Sequence, residues 1–140
     1  MIYEKTNTNF DKLIGKVVTD IYVDQNYLVI KTKNDKVVMA VEGDCCSHSY
    51  WVDIIGVKNL IGKKVLHITD ELNGYEFDDK RGTQECNSIY NYCLVTKKGN
   101  CNFIFVNSSN GYYGGYIINM DDIYNNILNG LTRITEDWKL

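Results

Sequence analysis

The sequence contains no proline and only two arginines, Arg81 and Arg133. Because proline is absent, every residue of the chain has the backbone N–H that a central β-strand needs. An excess of positive charge is missing too: 15 Lys and Arg stand against 18 Asp and Glu, which gives a net charge of −3 and a pI near 5.3. Because nucleic acid is bound largely through its phosphates, this balance argues against a broad nucleic-acid-binding face, and we predict no nucleic-acid partner.

Long apolar runs are also missing. No stretch approaches the 18 or more apolar residues of a membrane span, and the N-terminal sequence MIYEKTNTNF lacks the apolar core of a signal peptide. We therefore predict a cytoplasmic protein with no membrane association.

The five cysteines lack the spacing of a metal site. Zinc sites commonly use ligands in CxxC-type pairs, and no such pair occurs among Cys45, Cys46, Cys86, Cys93 and Cys101. Cys45 and Cys46 are neighbours, which disfavours a disulfide between them, and in a reducing cytoplasm all five are expected to be free thiols. The sequence predicts no metal and no cofactor.

What the chain does contain fits a single globular domain, residues 1–140. Its 44% hydrophobic and 24% charged residues are ordinary for a folded protein. At this length folding buries roughly two-thirds of the unfolded surface, so a disulfide or metal is not needed for stability.

Two parts of the chain resemble each other. LIGKVVTDI at 13–21 and LIGKKVLHI at 60–68 share six of nine residues, and the strand–turn–strand pattern of 29–47 recurs over 93–111. We predict repeat units of about 13–51 and 60–116, with a polar insertion around 71–90, followed by a C-terminal helix and tail at 117–140.

Period-2 alternation and short polar turns predict an α+β fold that is predominantly antiparallel β, built from two three-stranded meanders. The predicted strands are Val17–Val23, Tyr27–Lys33 and Lys36–Val41 in the first unit, then Lys64–Thr69, Tyr90–Lys97 and Cys101–Val106 in the second. Short helices are predicted at Ser49–Ile55 and Met120–Leu128. The C-terminal tail is expected to be extended and to pack Trp138 against the rest of the domain.

Two loops at equivalent places in the units combine small polar residues with aromatics, and we expect them to face each other. Such loops suit a small, planar, polar ligand, because rings stack on it and glycine lets the backbone approach closely. The predicted ligand-binding residues are Ser47, His48, Tyr50, Trp51, Asn107, Ser108, Ser109, Asn110, Gly111, Tyr112, Tyr113, Gly114, Gly115 and Tyr116. Tyr50, Trp51, Tyr112, Tyr113 and Tyr116 are expected to stack on the ligand. The alternative interpretation assigns the glycines to turns and the tyrosines to the core.

Charged and nucleophilic residues near these loops leave further alternatives open. Arg81 is the predicted contact for a phosphate-bearing ligand, with Arg133, Lys16 and Lys63 as alternatives, although solubility is the commoner role of such residues. Cys45 or Cys46 with His48 could serve a small hydrolase, because a thiolate nucleophile needs a base nearby. We assign no catalytic residue.

The segments GDCCSHSYW (43–51) and NSSNGYYGGY (107–116), with the two LIGK segments, resemble a family of small proteins found largely in bacteriophages and prophages. The resemblance covers about residues 11–116, and the family carries no established activity. It implies a phage accessory protein that works in a bacterial cytoplasm.

By analogy of context, such a protein is similar to anti-defence sponges that bind a host immune nucleotide. Our hypothesis is a non-enzymatic homo-oligomer that sequesters a cyclic ADP-ribose-type or cyclic oligonucleotide signal. The alternatives are the Cys/His hydrolase acting on such a signal and a protein-interaction inhibitor of a host defence enzyme.

Overall fold

The structure, a computed structural model, describes residues 9–43, 47–70, 86–109, 114–120 and 128–140. This part of the chain is mostly antiparallel β with very little helix, in agreement with the broad fold prediction. Its strands are β1 (Val18–Val23), β2 (Tyr27–Thr32), β3 (Lys36–Gly43), β4 (His48–Ile55), β5 (His67–Thr69), β6 (Cys86–Val95), β7 (Asn100–Ser109), β8 (Gly115–Asn119), β9 (Thr132–Ile134) and β10 (Trp138–Lys139). The helical segments are 3₁₀ turns at Asn9–Leu13 and Leu128–Gly130 and the one-turn helix α1 (Val57–Leu60).

The strands form two sheets of five. The first has the order β8-β3-β2-β1-β9 and the second the order β10-β4-β7-β6-β5. Each sheet contains three strands that are consecutive in sequence, β1 to β3 in the first and β5 to β7 in the second. Each set of three is extended by a strand from the other half of the chain, since β8 pairs with β3 and β4 pairs with β7. The chain crosses between the sheets three times, from β3 to β4, from β7 to β8 and from β9 to β10.

The main core lies between the two sheets, because alternate residues of each strand point inward. Ile21 and Met39 of the first sheet belong to the same buried cluster as Trp51, Phe103 and Phe105 of the second. A smaller buried cluster, Tyr50, Val52, Ile104 and Val106, lies on the other face of the second sheet. The second sheet is thus apolar on both faces.

This double burial explains why the predicted helix at Ser49–Ile55 is wrong. The segment is strand β4, paired antiparallel with β7, and six of its eight residues are buried. A short continuous apolar run does not distinguish a buried strand from a buried helix by its periodicity, and the β-branched and aromatic residues here favour the strand. The predicted helix at Met120–Leu128 lies, apart from its two end residues, outside the described residues.

The C-terminal tail follows its prediction. It is extended, β10 pairs with β4, and Trp138 packs against the main core. In the described part of the chain, no helix is long and apolar enough to cross a membrane.

The two Gly-Lys segments bind each other through matching backbone hydrogen bonds. The Gly15 N–H donates to the Val65 carbonyl at 2.7 Å, and the Gly62 N–H donates to the Val18 carbonyl at 2.7 Å. Both glycines have a left-handed backbone, with φ of +83° and +82°, which other residues adopt only with strain. Because these segments precede β1 and β5, their pairing brings the β2–β3 and β6–β7 turns to the same end of the molecule.

Candidate functional site

The β3–β4 and β7–β8 crossings between the sheets lie side by side. On the first sheet Gly43 is paired with Gly115, and on the second sheet Ser49 is paired with Asn107. The start of β4 therefore meets the end of β7, and the end of β3 meets the start of β8. The described parts of the two predicted loops are therefore adjacent, but most of their residues belong to the strands β3, β4, β7 and β8 and not to loops.

A buried amide joins these strands. The Asn107 side chain has no exposed surface, and its Nδ2 donates to Ser47 Oγ and to Ser49 Oγ, each at 3.0 Å. Ser49 Oγ in turn donates to the Glu42 carbonyl at 2.8 Å. Because the Ser49 proton is used in that bond, Ser49 Oγ must accept from Asn107, which fixes the orientation of the amide. The Asn107 Oδ1 is buried and has no hydrogen-bond partner among the described residues.

Two glycines allow the sheets to approach here. A Cβ on Gly115 would lie 2.5 Å from Ser49 Oγ and 2.9 Å from Asn107 Cβ, and a Cβ on Gly43 would lie 2.5 Å from Asn107 Nδ2. No real side chain fits at such distances, so both positions require glycine. We call this cluster of Gly43, Ser47, Ser49, Asn107 and Gly115 the glycine–serine corner.

Tyr90 supports the corner from β6. Its hydroxyl accepts a hydrogen bond from the Gly115 N–H at 3.0 Å, and its ring stacks on Phe105 with centroids 4.6 Å apart. The backbone where β8 begins is therefore held by a side chain of the opposite sheet.

A cavity of about 330 Å³ opens on one side of this corner. It lies between the β1–β2 turn, the end of β3 and the start of β4. Its lining combines aromatic, aliphatic, hydroxyl, amide and carboxylate groups: Asn26, Tyr27, Ala40, Val41, Glu42, Gly43, Ser47, His48, Ser49 and Met120. We call it the corner cavity.

The predicted site residues lie in different surroundings: some line the corner cavity, some are buried and one is exposed. Ser47 and His48 line the corner cavity, while Asn107 lies directly behind them. Ser108 is fully buried in β7, and the Tyr116 side chain is 44% exposed on β8. Gly114 adjoins the Tyr90 hydroxyl.

The predicted stacking residues of β4 are buried. Trp51 has no exposed surface and meets Phe10 and Phe105 edge-on in the main core. Tyr50 is 4% exposed, and its ring is stacked with that of His48 at 5.3 Å between centroids. The ring that lines the cavity from β4 is therefore His48.

Other predictions fall outside the described residues: Arg81, Asn110, Gly111, Tyr112, Tyr113 and the two neighbouring thiols Cys45 and Cys46. Of Ser109 the structure describes the backbone alone, at the end of β7. The thiols that are described, Cys93 and Cys101, are buried, and burial raises the pKa of the Cys101 thiol well above its ordinary value. The described residues include no group of three His, Cys, Asp or Glu placed to hold a metal ion.

Sequence reasoning missed the side of the cavity formed by Asn26, Tyr27 and Met120. Asp24 Oδ1 accepts the backbone N–H groups of Asn26 and Tyr27, each at 2.7 Å, and so fixes the β1–β2 turn beside the start of β4. The turn-forming pattern Asp-Gln-Asn was present in the sequence, but its proximity to β4 depends on the crossing between sheets. The Trp51 N–H makes that contact by donating to the Gln25 carbonyl at 2.8 Å.

Together these features define a two-sheet antiparallel β protein with a polar cavity where the chain crosses between its sheets. Residues 11–118 match the family described as domain of unknown function DUF7448, and the chain belongs to that family. No curated protein and no solved structure matches it. The family description names no activity and no source, so the phage origin stays a prediction.

Proposed function

We propose that the chain is a binding protein that holds a small polar molecule with a planar ring in the corner cavity and does not transform it. The observation that carries this proposal is the cavity itself. Its volume of about 330 Å³ lies within the range of small-molecule sites, and its lining mixes ring faces with hydrogen-bonding groups.

The lining groups suit the edge and faces of a base-like ring. Tyr27 and His48 offer aromatic faces, the Asn26 amide can both donate and accept, and the Glu42 carboxylate accepts. Asn107 keeps the Ser47 and Ser49 oxygens in fixed positions, so this wall of the cavity is preorganised.

The charge of the lining favours the uncharged part of a nucleotide. In the described part of the chain, the lining includes the carboxylate of Glu42 and no lysine or arginine. A phosphate would be repelled by Glu42, so we expect the base or ribose to enter and any phosphate to point outward. The particular ligand that we propose is a host immune nucleotide of the cyclic ADP-ribose or cyclic oligonucleotide type, sequestered by a phage protein in the cytoplasm.

We also propose that the two three-stranded meanders descend from one duplicated unit. The reciprocal hydrogen bonds of Gly15 and Gly62 support this, as do the matching turns in which Thr32 N–H donates to Asp35 O and Thr96 N–H donates to Gly99 O, at 2.8 and 2.9 Å. A homo-oligomer remains part of the proposal, supported by the exposed Tyr116 on β8; a light-scattering mass equal to that of one chain would remove it.

Calorimetry tests the binding proposal with a panel of nucleosides, their monophosphates, cyclic oligonucleotides and ADP-ribose derivatives. We expect at least one compound to bind with Kd below about 10 μM, or roughly −7 kcal/mol, and its nucleoside to retain most of that affinity. His48→Ala should weaken binding about tenfold, because it removes a ring face of the cavity.

The matched control is His67→Ala, which alters the other histidine of the chain, on β5 away from the cavity lining. Equal effects of the two variants, or no binding by any compound, would contradict the proposal. Ligand recovered intact from denatured protein is expected. Loss of the ligand to substoichiometric protein would instead favour the Cys/His hydrolase.

A further inference from the structure

Lysines are concentrated at the end of the molecule opposite the corner cavity. We call this region the lysine end and define it by residues 11–18, 31–36, 62–66 and 96–100. These segments contain nine of the 13 lysines and two aspartates, a net charge of +7, which leaves −10 for the rest of a chain whose total is −3. Among the described residues, positive charge is thus concentrated at this end of the molecule.

Backbone pairing brings these segments together. Val17 is bridged to Lys64, the Leu66 N–H donates to the Val95 carbonyl beside the β6–β7 turn, and Val18 is paired with Thr32 beside the β2–β3 turn. The positive charges therefore share one surface and are not merely close in sequence.

Most of these ammonium groups are not neutralised by neighbouring acids. Lys16 Nζ is bonded to Asp35 Oδ2 at 2.7 Å. Among the described residues, Lys33, Lys63, Lys64, Lys97 and Lys98 form no ion pair, and all five are exposed. Such a surface attracts an anionic partner over the distance of a Debye length.

Aliphatic side chains lie among the lysines. Val17 is 40% exposed and Leu66 is 38% exposed. Val17, Lys16 and Lys33 also line a cavity of about 330 Å³ beside the β2–β3 turn. An apolar centre within a charged rim is the anatomy of a protein–protein interface.

We propose that the lysine end docks an acidic protein segment, whose carboxylates meet the lysines and whose apolar side chain enters the Val17 cavity. The Asp35 carboxylate, already bonded to Lys16, illustrates the contact. Nucleic acid fits less well, because phosphates do not bind exposed aliphatic groups. The segments of this end also contain no arginine and no aromatic residue. A membrane fits less well, because membrane binding grows with the apolar area inserted, and Val17 and Leu66 are the two large apolar side chains that the described part of this end exposes.

Fluorescence anisotropy of the full chain tests this with three probes: a labelled 20-residue peptide of glutamate and leucine, a 20-bp RNA duplex and phosphatidylserine vesicles. We expect the peptide to bind most tightly and to lose affinity about tenfold between 50 and 200 mM salt. Lys33→Glu with Lys98→Glu should weaken peptide binding at least tenfold, and Val17→Gln with Leu66→Gln about threefold.

The matched control for the charge reversal is Lys58→Glu with Lys139→Glu, which changes the charge equally outside the lysine end. We expect it to change peptide affinity less than about twofold. The proposal is overturned if the RNA or the vesicles bind more tightly than the peptide, if both charge reversals act equally, if the Val17 and Leu66 changes have no effect, or if no probe binds.

Discussion

Both ends of this molecule join the two halves of the chain, but they do so by different contacts. At the glycine–serine corner the sheets approach so closely that only glycine fits at 43 and 115, and a buried amide joins their strands. At the lysine end a Cβ on Gly15 or Gly62 would meet nothing within 4 Å, and the backbone itself joins the two halves. Side-chain contacts join the two halves at the glycine–serine corner, whereas backbone conformation and backbone hydrogen bonds join them at the lysine end.

This difference explains why the two ends suit different partners. A tightly packed corner holds serine, histidine and amide groups in fixed places, which favours recognition of a small molecule. An open end covered with long, solvated lysines attracts an extended partner without fixing it in one pose. The same substitution should therefore change the free energy of unfolding by different amounts at the two ends.

The largest effect is expected from Gly115→Ala. The added methyl group would overlap Ser49 Oγ and Asn107 Cβ and would crowd the Phe105 ring, and all three belong to buried side chains that have little room to move. We expect the free energy of unfolding to fall by about 3 kcal/mol in urea denaturation, the upper range for overpacking.

Gly62→Ala is the counterpart at the lysine end. Its Cβ has open space, so the cost is confined to the left-handed backbone and should be about 1 kcal/mol. Gly130→Ala, where the Cβ is unobstructed and φ is not positive, should change stability by less than about 0.5 kcal/mol. If Gly62→Ala cost as much as Gly115→Ala, the proposed difference between the ends would be wrong.

Asn107→Ala should have the next largest effect. It removes the donor shared by Ser47 Oγ and Ser49 Oγ and leaves a buried space, and we expect a loss of about 2 kcal/mol in the free energy of unfolding. Asn34→Ala, in the exposed β2–β3 turn, is the matched control and should cost less than about 0.5 kcal/mol. Retention of full stability by Asn107→Ala would show that the amide is not what joins the strands.

The sequence predicted the strands better than their assignment to sheets. β2 and β3 are apolar runs rich in β-branched residues and separated by an Asn-Asp turn, and β1, β2 and β3 lie within two residues of their predicted bounds. The apolar run over Ser49–Ile55, buried on both faces as β4, has no such hairpin turn beside it to distinguish it from a buried helix. No local pattern encodes the crossing from β3 to β4, since it depends on contacts with β7 that are far away in sequence.

The candidate site was predictable only in part for the same reason. Ser47 and His48, which line the corner cavity, were predicted because their segment is rich in small polar residues. Tyr27 and Met120 were missed because other segments of the fold bring them to the corner cavity. The aromatic Trp51, which sequence composition could not separate from a ligand-facing ring, is in the core.

The smallest effect is expected from the ion pair at the lysine end. The hydrogen bond from Lys16 lowers the pKa of the Asp35 carboxyl below its ordinary value of 3.8, aided by the Lys36 backbone N–H. The folded-state pKa is depressed, so the stability from this pair is present above pH 3.8 and is lost as pH falls through the lower folded value. Because both side chains are largely exposed, Asp35→Asn should cost less than about 0.5 kcal/mol at pH 7 and less than that at pH 2. Urea denaturation at the two pH values measures this, and a loss above about 1 kcal/mol at pH 7 would mean that side chains hold this end as they hold the corner.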